Sequence, residues 1–389
     1  MNLIDNMLLN WYYIVILFNG VFKLSTLGTY FLYYFVIISS GIISWSSEFF
    51  RKKNIKKIAK WLFFSSLIIP VMISGLRYGI GTDYHNYSDI YYSLTTQFYG
   101  IGDAIFNTRF EPSWVILNFL VYYIFDDVVF MFITSSFLIW LFSFKSIYDN
   151  KDRINIGIAV LILLCTLYSF SFNGVRQALA IAALMLSIKP LLEKKLWKFL
   201  LIVAFASTFH FTALIFAPVY WIANSRTENR RLLKNALVPT LFIGFVFLID
   251  PILSFVSNIE LFSFYSNYEV EYKGIAIREL VLKSPIVILI LINFKKLKLD
   301  NNLMYKISIL FIIGIILFLL RGFGPHISRV ALYFDFTQIF IVSAIVKSQK
   351  GKNESLLYSY LIIIYYLAYF TYHFIYLGRH GTIPYSWIL

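Results

Sequence analysis

The chain has 389 residues, of which 59% are hydrophobic, 20% aromatic and only 14% charged. A soluble domain carries about 25% charged residues, so this chain cannot cover a water-facing surface; a soluble enzyme, a nucleic-acid-binding module and a disordered scaffold are excluded. The net charge of +14 then concerns membrane sidedness, and nucleic acid is not an expected partner.

What remains is an all-α polytopic membrane protein, a single integral membrane domain over residues 1–389, with the lipid bilayer as its main solvent. The N-terminus lacks the basic region of a cleavable signal peptide. A spanning helix needs about 20 mostly apolar residues. Such runs are predicted at 27–45, 58–76, 128–147, 154–172, 175–192, 235–256, 303–320, 330–346 and 355–377, with shorter ones near 8–22 and 281–294. Residues 113–125 end in Asp126-Asp127, are too short to span, and read as re-entrant or interfacial. The run 197–222, with His210 at its centre, is either one long helix or two short ones.

Basic residues set the sidedness. Placing Arg51-Lys52-Lys53-Asn54-Ile55-Lys56-Lys57 in the cytoplasm also puts 145–153, 189–198, 226–234, 295–306 and 347–352 inside, where the lysines gather. The parity holds only if 197–222 enters and returns; a single crossing would put Arg226, Arg230, Arg231 and Lys234 outside. This gives about 12–13 transmembrane helices, an inner N-terminus and an outer C-terminus. The larger outer loops are 77–112 and 257–280, and His210 sits at a hairpin tip facing an outer cavity.

The outer basic residues are mostly arginines: Arg77, Arg109, Arg176, Arg278, Arg321, Arg329 and Arg379. Sidedness needs only positive charge, whereas a guanidinium is a rigid fork that binds phosphate or carboxylate bidentately. An outward-facing, arginine-lined cavity for an anionic ligand is therefore predicted.

Four motifs carry the candidate chemistry. In Arg77-Tyr78-Gly79-Ile80-Gly81-Thr82-Asp83-Tyr84-His85-Asn86-Tyr87 the glycines let the loop fold back and aim Arg77 and Asp83 into one pocket, with Tyr84, Tyr87 and Tyr91 as flat faces for sugar rings. In Asn173-Gly174-Val175-Arg176-Gln177 a helix begins, so Arg176 and Gln177 lie in its first turn, where free amides favour an anion. His210, with an ordinary pKa of about 6.5, suits either proton transfer or, when charged, phosphate binding. Arg321 and Arg329 flank a short outer turn and can face one pyrophosphate. Arg379-His380 and Pro384-Tyr385 form a weaker last cluster. The single cysteine, Cys165, forms no intrachain disulfide, and no HExxH, Walker or acidic-cluster motif is visible, so no metal and no cofactor is expected.

The strings RYGIGTDYHNY, FNGVRQALAIAALML, FASTFHFTALI and the final IPYSWIL, in that order, resemble the EpsG/Wzy family of polysaccharide repeat-unit polymerases over nearly the whole chain. The resemblance implies a GT-C-like architecture and action at the outer face of a bacterial cytoplasmic membrane. It implies donor and acceptor oligosaccharides on undecaprenyl pyrophosphate, the growing glycan passing to the non-reducing end of a new unit. A flippase and a chain-length regulator would be partners. In that frame Arg77, Arg176, Gln177, Arg321 and Arg329 hold the pyrophosphate, Asp83 or His210 is the base, and Tyr84, Tyr87 and Tyr91 line the glycan groove. A lipid-linked oligosaccharide flippase or transporter, an O-antigen ligase and a membrane acyltransferase are the competing expectations.

Overall fold

The computed structural model describes residues 15–18, 21–224, 277–300, 304–323 and 327–388. The expected span at 235–256, the basic loop 226–234, most of the loop 257–280 and Gly324-Pro325-His326 lie outside them.

The described chain is predominantly helical. Six stretches are long and apolar enough to cross a membrane: Thr26–Lys52, Lys56–Gly75, Val128–Asp149, Val175–Leu192, Ile327–Ser348 and Lys352–Tyr376. Shorter apolar helices accompany them. The protein is a multi-pass membrane protein.

Helix α1 (Thr26–Lys52) starts at Ser25, whose hydroxyl accepts from Gly28 N at 3.0 Å. Its last turn carries Arg51 and Lys52, the sign that suits a helix C-terminus. Helices α2 (Lys56–Ser65) and α3 (Ile68–Gly75) form the second crossing. The expected outer loop 77–112 is itself largely helical, as α4 (Tyr84–Gln97) and α5 (Ile101–Asn107). Helix α6 (Pro112–Phe125) has 14 residues, about 21 Å, short of the roughly 30 Å hydrocarbon core. Asp126 ends it in a left-handed conformation (φ 51), and Asp127 caps α7 (Val128–Asp149) by accepting from Val129 N at 2.8 Å. The acidic pair is thus turn chemistry.

Helix α8 (Ile156–Leu167) is apolar all round and buried on nearly every side, as a helix without a polar face must be. A Cβ at Gly157 would fall 2.6 Å from Trp45 Cβ, so the missing side chain lets α8 and α1 close on each other. Helices α9 (Val175–Met185) and α10 (Ile188–Leu192) follow.

Helix α11 (Leu196–Ser207) runs out, the chain turns through His210, and a 3₁₀ stretch (Phe211–Phe216) leads into α12 (Val219–Asn224). Tyr220 Oη donates to Lys194 O at 2.7 Å and Asn224 Nδ2 to Leu191 O at 3.3 Å. The chain has therefore returned beside its own start, which places His210 at the far tip of the hairpin.

Helices α13 (Ile277–Asp300), α14 (Met304–Leu319), α15 (Ile327–Asp335), α16 (Thr337–Ser348) and α17 (Lys352–Phe370) complete the bundle. The apolar window of Ile327–Ser348 is 89% buried inside the protein and that of Lys352–Tyr376 only 17%, so α15 and α16 are central and α17 is peripheral.

The expected short span near 8–22 is corrected. Residues Val15–Phe18 (β1) and Val21–Leu24 (β2) form an antiparallel pair, and β2 pairs with Ser386–Ile388 (β3) near the end of the chain. Two short β-branched runs around Asn19-Gly20 carry a hairpin signal that a hydropathy count overlooks.

Candidate functional site

Two charged clusters meet at one end of the bundle. The first forms at the start of α9. A cation in a helix's first turn opposes the helix dipole unless an anion accompanies it. For Arg176 that anion is Glu111, beside the N-terminus of α6: Nη1 donates to Oε2 at 2.6 Å. The other carboxylate oxygen accepts from Phe211 N at 3.2 Å and lies 3.3 Å from His210 Nδ1. Burial works to raise the Glu111 pKa, but the hydrogen bond from His210 and the Arg176 charge outweigh it and hold the carboxyl at about 2. Glu111 is therefore ionised, and with Nδ1–H pointed at it, Nε2 is the His210 nitrogen left to take a proton. Ser113 and Thr208 fasten the two segments, hydroxyl to hydroxyl at 2.7 Å and Ser113 N to Thr208 O at 2.9 Å.

The second cluster surrounds a cavity of about 730 Å³ whose wall includes Arg278, Arg321, Arg329 and Arg379. The first turns of α13 and α15 reach it, adding the positive ends of two helix dipoles. One carboxylate oxygen, Glu279 Oε1, lies 3.2 Å from both Arg321 Nη1 and Arg379 Nη2. The other acidic group, Asp335, is already paired with buried Lys283. Among the described residues Arg321 and Arg379 thus share one carboxylate, on a wall that carries four arginines. After α17 the chain adopts a π-helical turn (Thr371–Tyr376), a form frequent at functional sites, which brings His373 to the cavity wall with Nε2 buried and without a hydrogen-bond partner among the described residues.

The clusters adjoin. Gln177 Nε2 donates to Arg329 O at 2.7 Å, and Thr212, two residues after His210, bonds Tyr333 Oη at 2.9 Å. This geometry can hold a doubly charged anion beside a carboxylate-oriented imidazole.

A model of the EpsG family matches residues 60–387. The chain belongs to the EpsG family. Comparison with curated proteins and with solved structures finds no match. The EpsG match runs from α2 into β3 and so includes both clusters.

Not every candidate residue of this EpsG-family chain reaches the cavity. Arg77 is 2% exposed. It donates to Ser74 O and to Phe172 O at 3.2 Å, with the Phe132 and Phe172 rings 4.6 and 5.0 Å from its guanidinium. Burial lowers its pKa to about 10, still charged at neutral pH. It braces α3 against the loop before α9. Asp83 accepts from Thr82 Oγ1 at 3.3 Å, and among the described residues no bond joins it to Arg77; the shared pocket expected for the two is not formed. Gly81, at φ +94 with Asn173 Oδ1 where a Cβ would lie, instead lets the loop press against the start of α9. Its N–H donates to Gly381 O, and Tyr78 N to Ser386 O, so the loop is sewn to the C-terminal segment.

Tyr84, Tyr87 and Tyr91 are all buried. Their spacing puts them on the inner face of α4: Tyr84 stacks on Phe132 at 4.5 Å, and Tyr87 packs edge-on to Trp114. They pack in the core and do not form an open groove.

Glu111, Glu279 and His373 were not singled out in the sequence, and Arg278 stood there only as one of the outer arginines. Glu279 carried a signal, being an acid in an otherwise apolar, basic stretch. Glu111 carried none beyond preceding a helix-starting proline.

Proposed function

We propose that this protein is a membrane glycosyltransferase of the polymerase type. It transfers a growing glycan from undecaprenyl pyrophosphate to the non-reducing end of a new undecaprenyl-pyrophosphate-linked repeat unit, at the outer face of a bacterial cytoplasmic membrane. The family match supports a polymerase-like role in polysaccharide biosynthesis. The observation that carries the finer reading is the four-arginine cavity abutting the Glu111–His210 pair.

The chemistry asks for two things. As the acceptor hydroxyl oxygen bonds to the donor's anomeric carbon, the bond from that carbon to the diphosphate breaks and the diphosphate leaves with the electron pair. Arg321, Arg329, Arg379 and Arg278 stabilise that developing charge, each donor typically contributing about 3–4 kcal/mol. The hydroxyl proton passes to His210 Nε2, with Glu111 holding the ring in the right tautomer. Gln177 positions Arg329 through its backbone carbonyl. A flippase supplying units and a chain-length regulator are the partners this activity requires.

The test is deletion of the gene, with gel analysis of surface glycan and complementation by variants. Loss of long chains with retention of single units on the carrier supports polymerisation. Loss of single units from the outer face as well would assign a flippase instead, and an intact ladder would remove the reading.

A further inference from the structure

The opposite end of the bundle holds a second charged cavity. Gln177 meets Arg329 at the start of α9, whereas Lys189 and Glu193 lie at the end of α10. The 12 residues from Gln177 to Lys189, and the 16 to Glu193, separate these points by about 18–24 Å. The second cavity, about 670 Å³, opens where the last turns of α7, α10 and the first turns of α11 meet.

Its composition is two-sided. One part is apolar, with Leu141, Phe142, Leu186 and Ile202. The other carries Lys145, Lys189, Lys195 and Lys198 against Asp149 and Glu193. Lys145 pairs with Asp149, and Lys195 with Glu193 at 2.6 Å. No carboxylate of the described residues is ion-paired with Lys189 or Lys198, so the site keeps two uncompensated positive charges. The apolar wall continues onto a face open to lipid: Trp197 is 76% and Leu201 69% exposed. A tryptophan at that level marks the boundary between headgroups and acyl chains.

A ligand for this site needs a phosphate-like head and a hydrocarbon tail. We propose that the groove binds an anionic phospholipid, its headgroup phosphate between Lys189 and Lys198 and an acyl chain along Phe142, Ile202 and Leu201. A zwitterionic lipid brings a cation together with its phosphate and so leaves the two positive charges without net compensation. A free phosphate would leave the apolar wall uncovered. The proposal is independent of glycan transfer, because no residue of the arginine cavity or the Glu111–His210 pair takes part.

The experiment uses the full-length protein in detergent, titrated with short-chain phosphatidylglycerol, short-chain phosphatidylcholine or inorganic phosphate and read by native mass spectrometry. Wild type is expected to retain phosphatidylglycerol and not phosphatidylcholine. At about a fivefold contribution per lysine near the headgroups, K189Q/K198Q should bind phosphatidylglycerol about 25-fold more weakly. K56Q/K57Q, in the exposed first turn of α2, should match wild type. K198Q alone, an exposed change with no folding consequence, should weaken binding about fivefold. Equal retention by wild type and both groove variants, an equal loss in K56Q/K57Q, or inorganic phosphate binding as tightly as the lipid would each overturn the proposal.

Discussion

Arg176 donates to Glu111 across 2.6 Å, joining the first turn of α9 to the residue before α6. The contact answers a problem set by the sequence, a cation where the helix dipole favours an anion. It also means that Arg176 has a protein partner, and that its loss strands a mostly buried carboxylate.

Arg176→Ala is therefore expected to lower stability by about 3–5 kcal/mol, the range for breaking one side of a buried pair. Removing both partners, as in Glu111→Gln with Arg176→Met, should recover most of that loss without recovering polymer. Melting in detergent measures the first effect and the glycan ladder the second. A double variant that makes long chains would remove the pair from the chemistry.

The base assignment separates two candidates. His210→Gln is expected to cut transfer by about 10²–10⁴-fold, the usual contribution of a positioned acid–base group. Asp83→Asn is expected to leave the rate nearly unchanged, since the Asp83 carboxylate bonds only Thr82 Oγ1 among the described residues. Initial rates with purified protein and lipid-linked units decide between them; a larger loss at Asp83 would reverse the assignment.

Within the cavity, Arg321→Lys and Arg379→Lys test the fork as opposed to the charge. Both arginines share Glu279 Oε1, a geometry a single ammonium does not reproduce. Each is expected to lose about 10–100-fold in rate with little change in melting, as for removal of part of a charge-stabilising site. Arg77→Lys should behave oppositely: its two carbonyl partners and two flanking rings belong to the core, so melting falls first.

The Glu111 carboxyl also sets a pH dependence of stability. Its folded pKa of about 2 lies below the ordinary 4.5, so the unfolded chain binds the proton more readily. The contribution is fully present above pH 4.5 and is lost as pH falls toward 2. The stability difference between wild type and Glu111→Gln should accordingly shrink as pH falls from 4.5 toward 2. A difference that grows over that range would contradict the pairing.

The sequence by itself determined the class of this protein and the location of its charge. Apolar runs without enough charge for a water-facing surface force a membrane bundle, and arginines at the ends of those runs pointed to an arginine-lined chamber. Arg321 and Arg329 do meet on one cavity wall, and the return of the 197–222 hairpin was legible in the basic loop that follows it. Tertiary structure alone decided which arginines face that chamber. Arg77 and Arg176 look alike in sequence, each polar at the edge of an apolar run, yet one is stacked between core rings and the other is held by Glu111. The tyrosines of α4 carry the same lesson: a spacing that suits a sugar platform also suits a buried helix face. What separates the two outcomes is the partner across the gap, and Glu111, Glu279 and Phe172 come from positions that no local pattern links to them.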